Sequence, residues 1–171
     1  MGQCCIAAKR LIVVEELADR FLAKFQAAMS SLKPGDPMDK STTLGPLSTE
    51  AALVQLLAQV EEAIAGGATL VMGGKRIHRP GSFMQATILT NIKSDNPAFR
   101  KEFFGPVAMF FRVKNEDAAI ALANDSDFGL GGSVFTNDVE RGRRVASRID
   151  TGTVSRYAGH SSALEWIWRK R

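Results

Sequence analysis

Apolar and polar positions along this chain follow two rhythms, one of period two and one of period 3.6. Arg10-Leu11-Ile12-Val13-Val14 is a short β-branched run and predicts a strand. From Glu15 to Leu32 the pattern turns helical and places Phe21, Phe25, Ala28, Met29 and Leu32 on one face. Lys33-Pro34-Gly35-Asp36-Pro37 stops that helix and opens a loop through Gly45-Pro46. Ser48 and Ala51 make no full capping box, but Thr49-Glu50 gives the next helix an acidic first turn. Leu53, Leu56, Leu57, Val60 and Ile64 then recur at helical spacing up to Gly66-Gly67. Thr69-Leu70-Val71-Met72 predicts a strand closed by Gly73-Gly74, and Lys75 to Ser82 a basic surface loop. Strands follow at Ala86-Thr87-Ile88-Leu89 and Val107 to Val113, then a helix over Glu116 to Ala123 with Ile120 and Ala123 inward. A strand from Gly131 to Phe135, a helix from Asp138 to Ile149 and a last strand at Gly152-Thr153-Val154 complete the series. This alternation predicts an α/β fold, a mostly parallel sheet flanked by helices.

Composition narrows the class. With 171 residues and 45% hydrophobic content, the chain is long enough to build a real core. Its net charge of +4 is uneven. Arg156, Arg169, Lys170 and Arg171 against Glu165 put most of it after Val154. The body lacks the clustered basic face that nucleic-acid binding requires, so no nucleic-acid partner is expected. No apolar stretch reaches membrane-spanning length and no signal peptide is visible. Two adjacent cysteines and no others argue against a disulfide scaffold and for a reducing compartment. A cytoplasmic protein without a membrane partner is the expectation. No metal site is expected either; His78, in the basic loop, reads as a solvated side chain.

Candidate chemistry begins at Gly2-Gln3-Cys4-Cys5-Ile6-Ala7-Ala8-Lys9-Arg10. The thiolate is the reactive form of cysteine, and a helix N-terminus stabilises it through unpaired N–H groups and the helix dipole. The small residues after Cys5 suit such a helix start, and the backbone N–H groups there would also hold an oxyanion. Taken alone, the same cysteines read more readily as small buried hydrophobes, the usual state of free cysteine. A third reading is lipid anchoring through Gly2 and Cys4 or Cys5, although Ile6 stands where that motif wants Ser or Thr. Further on, Arg100-Lys101-Glu102-Phe103-Phe104-Gly105-Pro106-Val107 sets a carboxylate and two aromatics before a buried strand. A carboxylate can pair with ribose hydroxyls and an aromatic can pack on a flat ring; a turn with both phenylalanines in the core is the plainer alternative.

Taken together and in order, Gly2-Gln3-x-Cys5, Glu102-Phe103-Phe104-Gly105-Pro106-Val107, Leu122-Ala123-Asn124-Asp125-Ser126-x-Phe128-Gly129-Leu130 and Gly152-Thr153-Val154 resemble the aldehyde dehydrogenase superfamily. Gly45-Pro46-Leu47, Gly66-Gly67-Ala68 and Ala86-Thr87-Ile88-Leu89 are lesser landmarks of the same resemblance. The texture of Leu122 to Leu130 with Ser133-Val134-Phe135-Thr136 is most similar to bacterial succinate-semialdehyde dehydrogenases. The resemblance implies oxidation of an aldehyde to a carboxylate with NAD or NADP. Cys5 would be the nucleophile that forms first a thiohemiacetal and then a thioester. Cys4 falls at a variable position. Glu102 would bind the nicotinamide ribose and Phe104 would lie near the nicotinamide. The family is homo-oligomeric and acts on small-molecule aldehydes.

The departures from the family pattern lead to a second set of expectations. In the family the general base, the oxyanion Asn and the dinucleotide-binding domain precede the nucleophile. Residues 1–154 therefore read as a partial catalytic domain that does not bind its cofactor alone and is inactive, and residues 155–171 as an aberrant tail. Codons GAG-TGG-ATA-TGG for Glu165-Trp166-Ile167-Trp168, read one base later, would give a Ser-Gly-Tyr-Gly segment typical of the family, which would fit a frameshift. The rival functional class is a non-catalytic remnant or interaction module.

Overall fold

The computed structural model describes residues 2–157 and 165–168, with side chains described for residues 2–156. The chain divides into two compact units, Met1–Arg112 and Val113–Arg171.

The first unit contains β1 (Arg10–Val14), α1 (Glu15–Ser30), α2 (Glu50–Ala65), β2 (Thr69–Met72), β3 (Thr87–Thr90) and β4, which runs from Val107 to Val113. Its four strands form one sheet in the order β1-β4-β3-β2. β3 and β4 pair in parallel, with Thr87 opposite Val107, and β2 pairs antiparallel with β3. Parallel pairing at the centre explains why β3 and β4 read as nearly continuous apolar runs, for both their faces are covered. Val107 through Phe111 are all buried. One core cluster joins Ala18 of α1, Ile88 of β3 and Phe110 of β4, with Leu22, Phe25 and Met29 packed against it.

That helix face differs from the expected one. Ala28 is exposed, and Ala18 and Leu22 face the sheet instead, with Phe25 and Met29 as anticipated. The 3.6 period was correct, but its phase was set by Ala18, a residue too small to stand out in a hydrophobic pattern. α2 is capped by Thr49, whose Oγ1 accepts from the Ala52 N–H at 3.0 Å. It buries Leu53, Leu56, Val60 and Ala63, while Ile64 lies on the solvent side. Beyond its C-terminus the buried Asn96 donates from Nδ2 to the Ala63 carbonyl (2.9 Å) and accepts at Oδ1 from the Ala98 N–H (2.9 Å). It thereby ties the segment that carries Glu102 and Phe104 to the end of the helix.

The second unit contains α3 (Glu116–Asn124), β5 (Gly131–Phe135), α4 (Val139–Ala146), β6 (Thr153–Tyr157) and β7, from Glu165 to Trp168. Asn115 and Asp138 cap the two helices by accepting from the N–H groups of Ala118 and Arg141. Each such cap contributes about 1 kcal/mol. β5 and β6 pair in parallel, Gly131 opposite Thr153, and β7 pairs antiparallel with β6. The sequence-based strand ends at Val154, whereas β6 continues to Tyr157 with Ser155 and Arg156 buried. Of the expected aberrant tail, residues 158–164 and 169–171 lie outside the described residues. α4 is shorter than expected and closes at Ser147, and Ile149 is buried from the turn beyond it. The α/β class holds, with the parallel pairing distributed over two mixed sheets.

Candidate active site

The two cysteines do not begin a helix. Cys4-Cys5-Ile6-Ala7 is a β-turn closed by the Ala7 N–H donating to the Cys4 carbonyl at 3.0 Å, and the chain becomes β1 at Arg10. The cause is the nearness of that strand. Nucleating a helix fixes several residues for one hydrogen bond, and only Ile6 to Lys9 separate Cys5 from a β-branched run committed to the sheet. The expected helix dipole is therefore absent at the thiols. Both thiols are free and exposed.

The turn is instead fixed by docking onto two other segments. Gly2 adopts φ +75° and packs so tightly on the Gly105 carbonyl that a Cβ would sit 1.9 Å from its oxygen. Only glycine fits there, on both conformational and steric grounds. Gln3 reaches the Pro46 loop with both ends of its amide. Its Nε2 donates to the Pro46 carbonyl (3.0 Å) and its Oε1 accepts from the Ser48 N–H (2.9 Å). Gly105 is in turn held by close packing on Leu47 and Leu56. Three stretches that stand far apart in the sequence thus meet around the cysteine turn.

The Glu102–Pro106 stretch resolves the two phenylalanines into opposite roles. Phe103 is fully buried, whereas Phe104 keeps 46% of its surface exposed and Glu102 is half-buried beside it. The plainer core reading holds for Phe103 and fails for Phe104.

Sequence reasoning passed over Lys9, which connects these parts. Its ammonium donates to the carbonyls of Gly2 and Cys4, the latter at 3.2 Å, and lies 4.9 Å from the centroid of the Phe104 ring. Burial lowers its pKa from the ordinary 10.5, and the charges of Glu102, Cys4 and Cys5 oppose that shift. Glu102, Phe104 and both cysteines therefore share one cation as a neighbour. A lysine next to a strand reads as a solvated residue, and nothing in the local pattern marks it otherwise. Among the described residues no group of three or more His, Cys, Asp and Glu side chains is placed to hold a metal ion. No helix among them is long and apolar enough to cross a membrane.

Residues 1–165 match the Aldehyde dehydrogenase family. The chain belongs to that family. Among its relatives is a succinate-semialdehyde dehydrogenase [NADP(+)] of Deinococcus radiodurans, 54% identical over 153 residues, which are 90% of this chain and 32% of the relative. Solved structures of the family are similar too. The succinic semialdehyde dehydrogenase of Streptococcus pyogenes in complex with NADP+ is 40% identical with a TM-score of 0.89, covering 98% of this chain and 38% of that one. Betaine aldehyde dehydrogenase of Staphylococcus aureus, in complex with NAD+ and with a BME-modified cysteine, is 31% identical with a TM-score of 0.88, covering 98% and 36%. This aldehyde dehydrogenase chain spans about a third of the length of the curated relatives it matches.

Proposed function

We propose that Cys5 is the nucleophile of an aldehyde dehydrogenase centre, and that Glu102 and Phe104 hold the nicotinamide-ribose end of its cofactor. The observation that carries this reading is the meeting of an exposed thiol turn with the Glu102–Phe104 segment through the Gly2–Gly105 contact. The residues fit such a cofactor. Phe104 offers an open aromatic surface for a flat ring, and the half-buried Glu102 offers carboxylate oxygens to ribose hydroxyls. When bound, the oxidised nicotinamide supplies the hydride acceptor. Small aldehydes are the substrate class, with succinate semialdehyde and NADP(+) as the specific pair, supported by the names of the relatives.

In this reading the Cys5 thiolate adds to the aldehyde carbon. A C–S bond forms and the carbonyl π pair moves to oxygen, giving a thiohemiacetal. Cys5 later carries the acyl group as a thioester. Water attacks that carbon, the C–S bond breaks, and the thiolate is regenerated as the carboxylate leaves. Residues 1–171 by themselves turn over no aldehyde, because two contacts at one end of a dinucleotide do not offset an association cost of roughly 4–15 kcal/mol.

A chimera tests this. The 153 matching residues of this chain replace the corresponding third of the Deinococcus radiodurans relative, and NADP(+) reduction with succinate semialdehyde is followed by absorbance. Turnover is expected in the chimera and none in its Cys5→Ala variant or in the chain alone. A chimera whose Cys5→Ala variant keeps its turnover overturns the assignment of Cys5. A folded chimera without turnover favours the non-catalytic remnant.

A further inference from the structure

The family pattern accounts for Gly2, Gln3, Cys5, Glu102 and Phe104, and it leaves Lys9 without a role. Its main chain is fixed to the sheet, since the Lys9 carbonyl accepts from the Met109 N–H at 2.9 Å. From that anchor the side chain runs back toward the start of the chain, over five residues to Cys4 and seven to Gly2. An ammonium has three donors and no acceptor. Two of its N–H groups meet carbonyls on either side of Gln3, and the charge lies over the Phe104 ring. Such a cation–aromatic contact is worth about 0.5–2 kcal/mol, more as it is desolvated.

We propose that Lys9 is a positioning residue, a brace that holds the cysteine turn and the Phe104 ring in one fixed arrangement. Gly2 and Gln3 dock the start of the chain on Gly105 and the Pro46 loop, but the turn that follows has no helix behind it and is closed by the Ala7 N–H donating to the Cys4 carbonyl. A turn of that kind opens readily unless something outside it holds its carbonyls. The charged and titratable groups facing the ammonium are Glu102, Cys4 and Cys5, all of the sign or potential sign that attracts it. This inference rests on the reading of Cys5 as nucleophile for its purpose, though not for its geometry.

The test is amide hydrogen exchange on the full chain, without aldehyde or cofactor, comparing wild type with Lys9→Met and Lys9→Arg. In Lys9→Met the Ala7 and Gly105 amides should exchange about tenfold faster while Met109 keeps its protection. Lys9→Arg, which keeps a cation and its N–H donors, should return both amides to wild-type exchange, which a merely space-filling role would not produce. Unchanged exchange in the turn with the sheet intact overturns the proposal. If Lys9→Met also loses protection at Met109, Lys9→Arg decides. Wild-type protection of Ala7 supports the brace, and its loss with the sheet kept overturns it. Loss of the sheet in both variants makes Lys9 a core residue and overturns it as well. An inactive chimera whose turn is protected leaves the brace standing and removes only the dehydrogenase reading.

Discussion

β4 and β5 both read as strands, yet they sit in different environments. Val107 to Phe111 of β4 are buried without a break, whereas β5 alternates and leaves Phe135 73% exposed. The units around them differ in the same way. The first has a sheet with large apolar side chains on both faces, including Phe103, Phe110, Leu53 and Met84 fully buried. Among its described residues the second has a cluster of Ala146, Ile149 and Val154, with Val134 and Val145 against it, and it exposes Phe128, Leu130 and Phe135. Apolar content alone therefore does not measure core. What counts is area removed from water, and a phenylalanine buries far more of it in β4 than in β5. The candidate site stands on the better-packed unit, where Gly105 and Phe103 are held by buried neighbours.

The largest effect should come from the core of the first unit. Phe110 is 1% exposed and stacks on Phe21 with centroids 6.1 Å apart. Phe110→Ala is expected to cost about 3–5 kcal/mol in urea unfolding. Val154→Ala, which removes two methyl groups from the smaller cluster, should cost about 1–3 kcal/mol. If the two losses come out equal, the units are equally packed and the comparison fails.

The order of elements was readable from the residues; the difference in packing between the units was not. β1, β2 and β4 begin and end where the pattern placed them: β1 is a β-branched run, β2 is closed by Gly73-Gly74 and β4 is opened by Gly105-Pro106. The family, and with it the segments that make up the candidate site, was readable as an ordered set of letters, Gly2-Gln3-x-Cys5 and Glu102 to Pro106 among them. The construction of the site was not. Lys9, Asn96 and the carbonyl of Gly105 act through atoms brought from distant segments, and a linear pattern carries no trace of that. The helix expected after Cys5 failed for the related reason that local propensity was outweighed by the pull of β1. The inward positions of α1 shifted because Ala18 packs closely where a larger residue would have signalled its face.

A smaller effect separates exposed charge from buried packing within the first unit. Glu50 accepts from both Arg76 Nη atoms, one of them at 2.7 Å, and from Ser82 Oγ at 3.1 Å. The Arg76 guanidinium foremost holds the Glu50 carboxyl below its ordinary 4.5. A carboxyl lowered in the folded state binds fewer protons there than in the unfolded one. Its contribution is therefore fully present above about pH 4.5 and lost as pH falls through the folded value. Both groups are exposed, so the contribution is small. Glu50→Gln should lower the melting temperature slightly at pH 7, and the gap from wild type should close as the pH is taken well below 4.5. A gap that stays constant with pH would show that charge at Glu50 is not its source.

The smallest effect is expected at Phe135, and it is the sharpest check on the comparison. Three-quarters of this side chain already lies in water, so replacing it removes little area that folding had buried. Phe135→Thr keeps a residue that suits a strand, so β-propensity should change little. The melting temperature should stay within the change expected of a surface substitution, about 0.5 kcal/mol in either direction. The same replacement at Phe103, which is fully buried, should unfold the first unit or destabilise it by several kcal/mol, about as much as Phe110→Ala. Differential scanning calorimetry on the two variants reads both outcomes. If Phe135→Thr costs as much as Phe103→Thr, then Phe135 is covered in solution and the second unit has a core that its exposure conceals.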